Sequence, residues 1–177
     1  MRTLVDNLVL LAKLEGDVVR PVEPFDVVAL AEEIVAVRRG LNPDVAITID
    51  ARIDGTVVAD RGEIHEALAN IVDNAIKYAP DSPIAISLDS PRAGAIAISV
   101  CDQGPGIPPE DRASIFERFY RGASRGEVEG SGLGLAIAKR ALERAGGTLV
   151  LEPTVERGTC FVLTMRAERL ERRPTLV

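Results

Sequence analysis

One histidine and two cysteines are all that the chain offers of the usual transition-metal ligands. Each scarcity removes a class of function. Cys101 and Cys160 stand far apart without a CxxC spacing, which argues against a zinc site and against a disulfide framework. Both read as reduced thiols on strands of a cytosolic domain. His65 precedes Glu66, but HEALA lacks the second histidine of a metalloprotease HExxH, and a lone helical histidine reads as a surface or partly buried side chain. Positive charge is also in short supply. Lys and Arg total 21 against 27 Asp and Glu, a net charge of -6 that argues against nucleic acid as partner. No apolar run approaches the ~20 residues that cross a bilayer. The opening MRTLVDNLVLLAKLEG is too polar at Asp6, Asn7 and Lys13 for a signal peptide.

What is present suits one well-cored domain: 177 residues, 46% of them hydrophobic. The first residues form an amphipathic stripe of Leu4, Leu8, Leu11 and Ala12, whose need for a partner points to a segment of a longer protein. GDVVRPVEP, residues 16–24, carries a glycine and two prolines and reads as a linker. A helix follows from Phe25, with Asp26 as cap and Val27, Leu30, Ala31, Ile34 and Val35 at helical spacing. VAITID and TVVAD read as strands. Asp60 and Glu63 have the capping-box spacing of a second helix, whose buried stripe is Ile64, Leu68, Ile71 and Ala75 and which Pro80 ends. IAISLDS and AIAISVCD make an antiparallel hairpin through Pro91-Arg92-Ala93-Gly94. A long polar stretch with one apolar island, SIFERFY, leads to a third helix, LGLAIAKRALERAGG. TLVLEP and TCFVLTMR close the domain as strands.

Three constellations carry chemistry. In NIVDNAIKY, residues 70–78, Asn70, Asn74, Lys77 and Tyr78 fall on one stripe of the second helix at i, i+4, i+7 and i+8. A single such asparagine is commonly structural. The set together suits magnesium, which takes hard oxygen ligands, and phosphate, which Lys77 can meet. DQGPGIP, residues 102–108, follows a strand, and Asp102 is an acceptor suited to an exocyclic amino group; by itself it also reads as an ordinary Asp-Gly turn. GSGLGL, residues 130–135, runs into a helix whose free N–H groups favour anions. Neither a Walker A motif nor a strand–GxGxxG–helix is present, so phosphate binding requires another architecture.

Together with FERFYRG between the last two, these motifs resemble the N, first glycine, F and second glycine boxes of sensor histidine kinases, in the family's order and spacing. Gly158-Thr159 is similar to the family's final glycine-threonine element. The resemblance spans residues 25–166. It implies an α/β (α+β) two-layer sandwich, a mixed and mostly antiparallel sheet on three main helices. This is the Bergerat fold shared with type II topoisomerases, heat-shock chaperones and mismatch-repair ATPases. It implies ATP and Mg2+, with Asn74 the principal metal ligand and Asn70 a second metal or phosphate contact. Lys77 would reach phosphate, Tyr78 the nucleoside and Asp102 the adenine amino group. Gly104, Gly106, Ile107, Gly130, Gly132, Leu133, Gly134 and Leu135 would shape the pocket, and Thr159 would support adenine. Arg118 and Arg121 would be lid cations near the γ-phosphate or the partner domain.

The same resemblance assigns residues 1–15 to the end of the second helix of the dimerisation and histidine-phosphotransfer domain, 108–130 to a mobile ATP lid, and 167–177 to a tail. No phosphoacceptor box occurs, and His65 stands inside the nucleotide-binding helix. The chain reads as the catalytic half of a two-component kinase, itself a monomer. Its implied partners are the phosphotransfer helices of its own homodimeric parent and a response regulator, with no nucleic acid. The implied location is the cytoplasmic side of an inner or plasma-membrane sensor. Two alternatives share the fold: a hydrolytic ATPase and a regulatory nucleotide-binding module. The first uses a glutamate four residues before the metal asparagine, where this chain has Asn70.

Overall fold

The computed structural model describes residues 21–53, 55–122, 130–153 and 157–168. Seven strands and three helices occur among them: β1 Glu23–Asp26, α1 Val27–Leu41, β2 Ile47–Ala51, β3 Thr56–Ala59, α2 Arg61–Tyr78, β4 Ile84–Asp89, β5 Ala95–Asp102, α3 Gly134–Arg144, β6 Thr148–Leu151 and β7 Cys160–Arg166. Five strands form the main sheet in the order β2-β4-β5-β7-β6. Only β2 and β4 run parallel; the other pairs are antiparallel. The expected two-layer sandwich of a mixed, mostly antiparallel sheet and three helices is the observed architecture.

The period-two alternation of the strands builds the layers. On β4, Ile84, Ile86 and Leu88 are buried, and on β5 so are Ile96, Ile98 and Val100. Phe161, Leu163 and Met165 continue that face on β7. The helices close over it with Leu30 and Ile34 of α1, Ile64, Leu68 and Ile71 of α2, and Ala138 and Leu142 of α3, all in one core. The other face of the sheet carries Ala85, Ser87, Ala97, Ser99, Val162 and Thr164, none of them fully buried.

Caps fix where the helices start. Asp26 accepts from the N–H groups of Val28 and Ala29, at 2.8 and 3.2 Å, and Asp60 accepts from Glu63 N at 3.1 Å. Each such cap is worth about 1 kcal/mol. Ion pairs then hold the helices in place relative to one another. Arg38 of α1 makes a two-pronged contact with Asp73 of α2 at 2.9 Å, which raises the Arg38 pKa, and Arg144 of α3 meets Glu63 of α2 at 2.7 Å.

Two expectations need correction, the end of the linker and the state of the cysteines. The linker gives way at its end to β1: Glu23 and Pro24 pair with Ala59 and Val58, Phe25 is buried, and the helix begins at Val27. TVVA is the expected strand, and it pairs with β1 in a separate two-stranded sheet. Cys101 and Cys160 are not separate thiols; they are joined by a disulfide. They stand directly opposite each other on β5 and β7, a register that sequence separation conceals. Residues 1–15, most of the linker, the centre of the lid and nearly all of the tail lie outside the described residues.

Candidate nucleotide site

The site assembles along the second half of α2. Asn70, Asn74, Lys77 and Tyr78 are all half-buried, flanking the fully buried Ile71 and Val72 and the buried Ala75. One turn separates Asn70 from Asn74, and another brings in Lys77. The stripe therefore presents two amide oxygens and one ammonium in line along the helix axis. Lys77 Nζ lies 5.1 Å from the centre of the Tyr78 ring.

The second glycine segment faces this stripe. A methyl group placed on Gly134 would stand 3.4 Å from Asn70 Oδ1, and one on Gly130 would stand 2.5 Å from Lys77 Nζ. Both ends of GSGLG thus lie against polar atoms of α2. Gly132 has a φ of 70°, and a side chain there would meet the Phe119 backbone 2.7 Å away. Phe119 N donates to Gly132 O at 3.0 Å, which ties the F-box segment to the glycine segment. α3 starts at Gly134, with Leu133 in the cap position, whose side chain makes no cap hydrogen bond. The N–H groups and dipole at that end lie on the side of Asn70 and Lys77, an arrangement whose chemistry suits an anion. Leu133 is fully buried and Leu135 packs partly against the core; both anchor the segment.

Asp102, the last residue of β5, is the most constrained group of the site. It is buried, and its Oδ1 accepts from Gly104 N at 2.8 Å and from Thr159 N at 3.1 Å. Its own N–H donates to Thr159 O at 2.8 Å. Two amide donors hold the carboxylate in a fixed orientation. The adjoining turn runs close to the end of α2, since a methyl on Gly104 would stand 2.6 Å from Ala79 Cβ. One on Gly106 would stand 3.0 Å from Gly158 O. Ile107 packs against the edge of the core. Thr159 is buried beside Asp102. The structure therefore joins the strand-end aspartate, the first glycine segment and the glycine-threonine element at one end of α2. The second glycine segment lies along the stripe toward the other.

The described part of residues 108–130 splits in two. Ile115 and Phe116 pack on the domain, Phe116 edge-on to Phe161 with ring centres 6.1 Å apart and under Lys139. Phe119 is exposed, with a φ of 63°. Tyr120 donates its hydroxyl to Asp111 Oδ1 at 2.6 Å, and that bond raises the Tyr120 pKa. Arg118 and Arg121 are exposed on this segment. Residues 123–129 of the expected lid lie outside the described residues. Among the described residues no group of three or more His, Cys, Asp and Glu is placed to hold a metal. His65 is half-buried on α2, as a lone helical histidine should be.

Sequence reasoning missed the Asp111–Tyr120 bond and the two amides on Asp102. Both depend on how loops fold back, for which composition carries no signal.

Residues 59–169 match the family described as histidine kinase-, DNA gyrase B- and HSP90-like ATPases. The chain belongs to this family. Its relatives place it among the catalytic ATP-binding domains of sensor histidine kinases. It is 40% identical over 163 residues to the signal transduction histidine-protein kinase/phosphatase MprB of Mycolicibacterium vanbaalenii, covering 90% of this chain and 33% of that one. The Mycobacterium tuberculosis MprB is 38% identical over 157 residues, 87% of this chain and 30% of the relative. The chain thus spans about a third of the length of the curated relatives it matches. Among solved structures, a mycobacterial sensor histidine kinase MprB superposes with a TM-score of 0.74 at 30% identity, over 83% of this chain and 98% of that one. Full-length ShkA in complex with AMPPNP gives 0.75 at 25% identity, over 92% of this chain and 35% of that one.

Proposed function

We propose that this histidine kinase ATPase domain binds Mg-ATP and donates the γ-phosphoryl group to a histidine on a dimerisation and phosphotransfer domain. The opposition of the α2 stripe to the uncapped, glycine-led start of α3 carries this reading. It places amide oxygens, an ammonium and helix N–H groups around one volume, which suits a polyphosphate. The adenine would lie at the Asp102 end, its amino group donating to the carboxylate, with Tyr78 against the nucleoside and Thr159 in support. That ShkA is held in complex with AMPPNP supports an adenine nucleotide in this fold.

Asn74 and Asn70 fit magnesium, because the ion needs only one or two protein oxygens when phosphates supply others. When bound, it would neutralise phosphate charge and fix the triphosphate for in-line attack. The chain's own residues do the remainder. Lys77 and the α3 N–H groups hold the phosphates, and Arg118 and Arg121 contribute cations from the lid side. The phosphorus–oxygen bond to the β-phosphate breaks, a phosphorus–nitrogen bond to the acceptor histidine forms, and ADP leaves. Hydrolysis is disfavoured because Asn70, at the position of the water-activating glutamate, is no general base.

The parent would be a homodimeric inner- or plasma-membrane sensor with this domain on the cytoplasmic side, passing phosphate to a response regulator. Residues 1–15 would end its phosphotransfer domain, 16–24 link the two, and 25–166 form the catalytic unit with 108–130 as a mobile lid. The test is incubation with γ-labelled Mg-ATP and a separately produced phosphotransfer domain. Acid-labile label on that domain is the expected result. Rapid phosphate release without transfer would favour the hydrolytic reading, and nucleotide binding without either would favour the regulatory one.

A further inference from the structure

We propose that Cys101 and Cys160 form a thiol–disulfide exchange site that sets the affinity of the adenine end of the pocket; the inference rests on the nucleotide reading above. The two cysteines are opposite each other on β5 and β7, with α-carbons 4.0 Å apart. The rung beyond them bonds Asp102 N to Thr159 O, so the cysteines occupy a non-hydrogen-bonded position, where facing side chains approach most closely. Successive strand residues point to opposite faces. The cysteines therefore sit on the sheet face that the helices leave open, beside Ser99 and Val162. Asp102 and Thr159, one residue along each chain, belong to the nucleotide pocket. Cys101 is only partly buried, whereas Cys160 is 5% exposed.

This placement gives an order of events. With the pair reduced, the Cys101 thiolate attacks a low-molecular-weight disulfide, and one thiolate of that reagent leaves. The Cys160 thiolate then attacks the Cys101 sulfur of the mixed disulfide and expels the second. The cysteine pair loses two electrons and two protons, and the reagent is reduced to two thiols. Excess low-molecular-weight thiol reverses both steps.

The consequence follows from where the bond lies. Cys160 is the first residue of β7 and Cys101 the penultimate residue of β5, so the disulfide clamps the end of a ladder. Beyond it, Asp102 and Thr159 are joined by two hydrogen bonds, of 2.8 and 3.1 Å. Ladder ends fray. Closing the disulfide holds the Asp102 carboxylate in its binding orientation in advance, and opening it lets that rung fluctuate.

The experiment titrates ADP into the chain by calorimetry in oxidised and in reduced dithiothreitol, with thiols counted by maleimide labelling and mass spectrometry. Oxidised protein should show no labelled thiols and reduced protein two, interconverting reversibly. The reduced form should bind ADP about threefold to tenfold more weakly, the cost of lost preorganisation. Cys101→Ser and Cys160→Ala should each bind like the reduced form in both buffers. Wild-type affinities within twofold of each other would overturn this inference and leave the nucleotide reading standing, as would thiols that stay open in the oxidising buffer. Failure of both forms to bind ADP would overturn the nucleotide reading and this one with it.

Discussion

Gly158 runs so close to Asp102 that a methyl group on its α-carbon would overlap the Asp102 carbonyl oxygen and stand 2.8 Å from the Gln103 α-carbon. Its φ of 86° adds a second obstacle to any side chain. Both neighbours are backbone, so no rotamer change relieves the clash. Gly158→Ala should lose about 2–4 kcal/mol of stability, read from denaturant unfolding. Gly40→Ala is the control. Gly40 lies in α1 with nothing within 4 Å of an added methyl, so that change should stabilise by roughly 0.5 kcal/mol. A Gly158→Ala protein as stable as wild type would mean that the chain passes Asp102 at a greater distance.

Asn74 separates metal chemistry from fold. It is half-buried and is no member of the apolar core, so Asn74→Ala should leave unfolding within about 1 kcal/mol of wild type. Magnesium would lose a protein oxygen, and the triphosphate its orientation. Phosphotransfer should fall by about 100-fold or more, while ADP binding measured without magnesium changes by less than about threefold. Equal losses in the two assays would assign Asn74 to structure.

The bond from Tyr120 to Asp111 gives the segment between them an alkaline limit. The hydroxyl must keep its proton to donate, and its pKa is raised, first by that hydrogen bond. A group whose pKa is raised on folding contributes below its unfolded value, and the contribution disappears as pH rises through the folded value. The bond is therefore intact at neutral pH and lost only in the alkaline range. The chain has two tyrosines, so Tyr78→Phe leaves Tyr120 as the one reporter. Its ultraviolet titration should lie above that of free tyrosine, and adding Asp111→Asn should bring it down. An unchanged titration in the double variant would show that Asp111 does not hold the hydroxyl.

Elements that bury a whole face announce themselves in sequence. α2 repeats Ile64, Leu68, Ile71 and Ala75 at helical spacing, and β4 and β5 alternate cleanly around a Gly-containing turn. The polar stripe of α2 was legible for the same reason, because Asn70, Asn74 and Lys77 break an otherwise ordinary helix at a fixed period. β1 was not legible. Its four residues bury only Phe25, and pairing with β3 makes it a strand. The parallel match of β2 to β4 and the facing of Cys101 and Cys160 are likewise decisions between distant segments. Local spacing carries no record of such register, which is why the cysteines read as separate thiols.

Selectivity for the base is the sharpest consequence of the Asp102 geometry. Oδ1 accepts from Gly104 N and Thr159 N, so the carboxylate is fixed by backbone donors that a side-chain substitution leaves in place. Adenine offers an amino donor where guanine offers a carbonyl acceptor. An ionised carboxylate pairs with the first and repels the second. A hydrogen bond to a charged group is worth about 1.5–3 kcal/mol, and the mismatched base would leave a buried carboxylate without it. Asp102→Asn preserves shape and can still accept from both amides through its oxygen, so the fold should hold. Its amide can also donate, however. ATP affinity should fall by about tenfold or more, and the preference for ATP over GTP should narrow. Calorimetric titration of both nucleotides against both proteins reads the two effects together. If the wild-type protein bound GTP as tightly as ATP, Asp102 would serve only to close the turn between β5 and the glycine segment, and the base would lie elsewhere.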